Sequence, residues 1–204
     1  MSRGASIPGG RLVLALDALA KVALILLLLH AIANPDLPQY ADKAMQGRAF
    51  TYPLAVLVIP VAWVLFGRGR GLPFPALADL LITLPFLIDT AGNALDLYDS
   101  IEWWDDANHL FNWMLLTGGF VLLTAPVRLA AWNRAALGAG FAAIAAIAWE
   151  LMEYATFVPG SAEAAGAYRD TLGDLVLGTI GGSLASIVAS WWIARRERHE
   201  AADA

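Results

Sequence analysis

Apolar residues fall into six long blocks, and within most of them they cover the whole helical circumference rather than one stripe. A helix apolar on all sides suits a lipid-embedded bundle, and about 20 such residues cross the hydrocarbon. The blocks are Arg11–Ala33, Ala49–Gly67, Ala76–Ala94, Ala107–Pro126, Ala135–Val158 and Leu172–Ala194. They predict an all-α, polytopic membrane helix bundle of six transmembrane helices. Residues 1–204 then form a single integral membrane domain with short loops. Pro53, Pro60 and Pro85 lie inside blocks; they would break a water-exposed helix, but membrane bundles accommodate them.

Composition agrees. The chain is 59% hydrophobic and 15% charged, against about 45–50% apolar and about 25% charged in soluble domains. A soluble or disordered chain is thereby disfavoured. The absence of cysteine excludes disulfides, Fe–S clusters, thiolate zinc sites and cysteine nucleophiles.

Basic residues give the orientation. With the N-terminus inside, Arg3, Arg11, Arg68, Arg70, Arg128, Arg134, Arg195, Arg196 and Arg198 are internal, and only Lys43, Arg48 and Arg169 are external. This asymmetry predicts an N-in, C-in topology. Tyr40, Tyr52, Tyr98, Tyr154 and Tyr168, with Trp103 and Trp104, then sit near the outer face. Trp132, Trp191 and Trp192 sit near the inner face, in the manner of two aromatic belts. A cleavable leader competes for residues 1–33, because Ala31-Ile32-Ala33 has the form of a cleavage box; the run from Leu12 to Ala33 is longer than a usual signal core. The Arg195–Arg198 cluster reads as an inner anchor, and nucleic-acid binding is not expected.

The polar residues within this frame are concentrated on the outer side. Asp89 and Asn93 lie near the end of the third block. Asp105, Asp106, Asn108 and His109 open the fourth. Glu150 and Glu153 lie near the end of the fifth, and Arg169, Asp170 and Asp174 open the sixth. At a rise of about 1.5 Å per residue, Glu150 is about 12 Å and Glu153 about 7 Å below the outer helix end. Asp89/Asn93, Asp105/His109, Asp106/His109, Glu150/Glu153 and Asp170/Asp174 are each three or four apart, so each pair shares a face. Ionisable groups at such depths are costly and point to function.

Seven carboxylates face Arg169 and at most a protonated His109. They need either a bound cation or protons to balance them. A metal reading takes His109, Asp106, Glu150, Glu153, Asp174 and Asp170 as ligands, with Asp89, Asn93, Asp105 and Arg169 as supporting polar groups. Oxygen ligands with one imidazole suit Mg, Mn, Fe or Zn. Arg169 could hold an anionic small-molecule or lipid head group.

Other readings stay open. The cluster could serve a small proton- or cation-coupled transporter, or could tie helices together in a structural subunit without chemistry. Asp105, Asp106 and Asp170 suit helix N-caps. His30 could join the outer cluster. Asp17 and Lys21, with Asp79 nearby, read as a structural ion pair and its neighbour. Gly178, Gly182 and Ser186 give a small-residue stripe for close helix packing. No signature of a known catalytic class settles whether the protein is an enzyme.

Four motifs occur in order: GNALDLYD (Gly92–Asp99), WDDANH (Trp104–His109), WELMEY (Trp149–Tyr154) and YRDTLGD (Tyr168–Asp174). This order resembles the YjdF-like family of bacterial inner-membrane proteins, over roughly the last 120 residues. The resemblance implies a multi-pass membrane location and importance for Asp106, His109, Glu150, Glu153, Asp170 and Asp174. It implies no activity.

Overall fold

The structure is a computed structural model that describes residues 10–157 and 167–203. Arg3 and Val158, used in the sequence reading, lie outside the described residues. Every regular element among the described residues is helical. Six helices are long: α1 (Gly10–Ala33), α2 (Met45–Ala62), α3 (Ala76–Ala94), α5 (Trp104–Leu123), α6 (Ala131–Phe157) and α7 (Ala167–Ala202). A single-turn α4 (Leu97–Ser100) joins α3 to α5. Helix α2 runs through Pro53 and Pro60 into a wide π turn at Trp63–Gly67, and α3 runs through Pro85.

Five segments are long and apolar enough to cross a membrane: Gly10–Ala33, Met45–Arg70, Ala76–Ala94, Ala131–Ala155 and Ala167–Ala202. Helix α5 is absent from this group because Asp105, Asp106, Asn108, His109 and Asn112 crowd its first turns. Its place in the fold explains how it tolerates them. It packs against α3, α6 and α7, and of its residues only Asp106 and Phe111 are exposed. This helix with its polar first turns is therefore enclosed by α3, α6 and α7, and much of the greasy surface belongs to other helices. Leu19, Leu26, Ile144 and Val188 are each more than 60% exposed, as expected of side chains that face lipid rather than water.

The helix boundaries correct one expectation. Helix α5 starts at Trp104, and its N-cap Trp103 makes no side-chain capping bond. Asp105 and Asp106 therefore lie inside the first turn and are not N-caps. Asp170 likewise lies within the first turn of α7. Acids there still favour the positive end of the helix dipole.

Successive long helices alternate in direction. The ends of α3 and α6 and the starts of α2, α5 and α7 meet at one end of the bundle around a cavity. A core of Leu24, Leu28, Tyr52 and Val56, with Phe86 and Trp149 packed on it, lies on one side of that cavity. The small-residue stripe of α7 holds α5 and α6 close. A Cβ added at Gly178 would stand 2.6 Å from Cδ1 of Trp113, and one at Gly182 would stand 2.7 Å from Oγ1 of Thr117. One turn further along, Ser186 Oγ donates to the Ala135 carbonyl at 2.8 Å.

A bulky residue on this stripe has no room. Gly178→Val should lower the stability of the purified protein by about 1–3 kcal/mol, the usual cost of overpacking. Gly140→Ala should leave the melting temperature unchanged or raise it, because nothing lies within 4 Å of a Cβ there and alanine is the better helix former. Thermal melts in one detergent check both.

Candidate functional site

The cavity has a volume of about 330 Å³. Two chemically distinct walls face each other across it. The first is built on Asp89 of α3. Arg48 Nη1 pairs with Asp89 Oδ2 and also donates to the Tyr52 hydroxyl at 2.7 Å. Tyr52 Oη donates to Asp89 Oδ2 at 2.8 Å, and Tyr98 Oη donates to Asp89 Oδ1 at 2.8 Å. Both carboxylate oxygens are thus engaged. Asn93 Nδ2 donates to the Asp89 backbone carbonyl at 3.0 Å. This wall is a closed network with its charge already balanced.

Local backbone geometry builds that network. Arg48 and Tyr52 are four apart on α2 and so share a face. Asp96 adopts a left-handed conformation, φ 59°, which suits aspartate better than most residues. It turns the chain back so that Tyr98 on α4 reaches Asp89. Gly92 leaves room for this return: a Cβ there would lie 2.6 Å from Trp104 Nε1 and 2.9 Å from Tyr98 Cε2. Burial, and next the Asp89 charge, raise the Tyr98 phenol above its ordinary range, so Tyr98 stays protonated and remains a donor.

The second wall is acidic and centres on His109 of α5. His109 Nδ1 pairs with Asp174 Oδ1 of α7. Asp105, one turn before His109, completes one three-residue group with His109 and Asp174. Glu150 and Glu153 of α6 complete a second group with His109. Within each group the candidate donor atoms lie within 4.8 Å of one another. Glu150 and Asp174 are buried. Asn112 Nδ2 donates to Asn108 Oδ1 at 2.9 Å, and Asn108 Nδ2 donates to the Trp104 carbonyl at 3.0 Å. The Asn112 side-chain oxygen has no hydrogen-bond partner among the described residues. Lys43 and Asp99 form an ion pair at 2.9 Å among the lining residues.

The structure brings together Asp89, Asn93, Asp105, His109, Glu150, Glu153, Asp170 and Asp174 as lining residues. Asp170 is exposed. Asp106 is exposed and does not line the cavity, and neither does Arg169. His30 does not join the cluster either; its Nδ1 lies 2.9 Å from the Tyr40 hydroxyl. The sequence reading missed Arg48, Tyr52 and Tyr98. The apolar block that starts at Ala49 leaves Arg48 in an outer loop. The helix begins at Met45, and the i,i+4 spacing of Arg48 and Tyr52 was the available signal. Tyr52 and Tyr98 are interior donors rather than belt residues.

Removing Arg48 should expose the cost of an unanswered buried charge. Arg48→Gln should destabilise the protein by about 3–5 kcal/mol, as for other broken buried pairs. Arg48→Gln combined with Asp89→Asn should recover much of that loss, since the amide that replaces the carboxylate is neutral. A double-mutant cycle of melting temperatures measures the coupling.

Comparison with curated proteins and with solved structures finds no match to this chain. The sequence profile of one family, described as a predicted membrane protein family, matches residues 16–195. The chain therefore belongs to the family Predicted membrane protein (DUF2238).

Proposed function

We propose that this is a six-span, N-in/C-in protein of the bacterial inner membrane, YjdF-like within its family, that holds a divalent metal ion in a periplasm-facing pocket. The carrying observation is the convergence on His109 of two acidic groups from three helices. Charge sharpens it. Arg48 already answers Asp89, which leaves Asp105, Glu150, Glu153 and Asp174 facing one imidazole. A divalent cation would balance that excess in a desolvated place where carboxylates cannot crowd together unaided. Carboxylates on several helices projecting inward beside a histidine are the arrangement of metal sites in helix bundles.

The candidate ligands fall in two groups that share His109, one with Asp105 and Asp174 and the other with Glu150 and Glu153. Hard oxygen donors with one imidazole select Mg, Mn, Fe or Zn. Asp170 is a peripheral acid, and the exposed Asp106 takes no part. Counting α5 as a sixth span is supported by its 20-residue length and by its enclosure within the bundle. A bound ion would act as a Lewis acid or would lower the pKa of a coordinated water. The remaining cavity volume, lined partly by Trp113 and Trp149, suits a small-molecule or lipid ligand.

Elemental analysis of purified protein, with a melting curve before and after chelation, tests this reading. The wild type should carry a divalent ion, and chelation should lower its melting temperature. Glu153→Ala and His109→Ala should lose the ion, and Asp106→Ala should keep it. A metal-free wild type with a normal melt that does not respond to added divalent ions would end the proposal.

A further inference from the structure

The opposite half of the bundle holds a second charged cluster, which the metal reading does not use. Asp17 and Lys21 of α1 meet Asp79 and Thr83 of α3. Lys21 Nζ pairs with Asp17 Oδ1 and also donates to Asp79 Oδ2 at 2.9 Å and Thr83 Oγ1 at 3.0 Å. All three ammonium donors are therefore engaged. Thr83 Oγ1 lies 2.9 Å from the Asp79 backbone carbonyl and 3.2 Å from Asp17 Oδ1, so its single proton is shared within the cluster.

One atom is left over. Asp79 is fully buried, and its Oδ1 has no hydrogen-bond partner among the described residues. The charge count is also unbalanced, with two carboxylates against one ammonium. Among the described residues no further charged side chain pairs with the cluster, and Arg11 of α1 is exposed. Arg48 of α2 and Asp105, Asp106 and His109 of α5 lie at the cavity end, and Arg68 and Arg70, after α2, are exposed. At about 1.5 Å per residue, Asp17 lies roughly 10 Å and Asp79 roughly 5 Å inside the start of its helix. A net negative charge at such a depth is expensive, and so is a buried acceptor with no donor.

We infer that this cluster is a second ligand site, which takes up one monovalent cation, a sodium ion or a proton, at Asp79 Oδ1. A sodium ion meets both deficits at once, and a proton removes the excess charge. A water molecule would satisfy the orphaned oxygen and leave the charge, whereas a divalent ion would reverse the charge. The site stands on α1 and α3 alone and shares no residue with the His109 pocket, so either can fail without the other.

Thermal melts of the full-length protein in detergent test the inference, with sodium titrated against N-methylglucamine at constant ionic strength. A second series compares pH 6 with pH 8 without sodium. If sodium is the ligand, saturating it should raise the wild-type melting temperature by about 3 °C or more. If a proton is the ligand, sodium should do nothing, and the change from pH 8 to pH 6 should raise it by a similar amount. Asp79→Asn keeps the shape and removes the excess charge, and Asp17→Asn removes it from the other carboxylate. Each should abolish the response that the wild type shows. The inference is overturned if the wild type ignores sodium and its pH response is either absent or shared in full by both variants, which would leave a bound water as the partner of Asp79.

Discussion

Inside a bundle bordered by lipid tails, a charged side chain has to find its answer within the protein. Water is not there to supply it, and a long apolar helix cannot move aside to admit it. Most of the structure's polar architecture follows from this. Arg48 from α2 crosses to Asp89 on α3 and brings two tyrosine hydroxyls with it. Lys21 from α1 crosses to Asp79 on the same helix. His109 crosses from α5 to Asp174 on α7. Each pairing ties two different helices together, so electrostatic neutrality and helix arrangement are one problem with one solution.

Helix α5 shows how the bundle resolves it. A helix beginning with two aspartates, two asparagines within nine residues and a histidine is poorly suited to lipid. Surrounding it with α3, α6 and α7 makes it a polar spine, and the lipid-facing surface then falls to residues such as Leu26 on α1 and Val188 on α7. Close approach is possible because α7 offers Gly178, Gly182 and Ser186 along one face. Where helices lack a hydrophobic drive to associate, small residues of this kind provide the packing. The acids on α6 and α7 reach His109 only because the helices stand so near.

The two walls of the cavity differ in what they leave unanswered. Around Asp89 every carboxylate oxygen has a donor, and a cation stands beside it. Around His109, among the described residues, the acids outnumber the one imidazole they converge on. The first wall behaves as scaffold, and the second has capacity to bind. The same contrast applies at the other end of the bundle, where the three donors of Lys21 are engaged and Asp79 Oδ1 still has none among the described residues. Closed and open networks are told apart by counting donors, acceptors and charges together.

Much of this was legible along the chain. Six apolar blocks predicted the long helices, with α3 matching from end to end and the rest differing only at their boundaries. Asp105 and His109, and Glu150 and Glu153, share the faces that line the cavity, as helical spacing predicts, whereas Asp106, three before His109, does not. Such geometry could not say which of two adjacent acids turns inward. Asp105 and Asp106 are about 100° apart around α5, and only the position of α7 makes the first a wall of the cavity and leaves the second exposed. Nor could it reveal that Arg48 belongs to a helix rather than a loop, or that α4 returns Tyr98 over Asp89. Local pattern decides which segments become helices, because hydrogen bonding and hydrophobicity act over a few residues. Tertiary packing decides which charges meet, because those partners lie up to 65 positions apart in the sequence and come together only when the helices assemble.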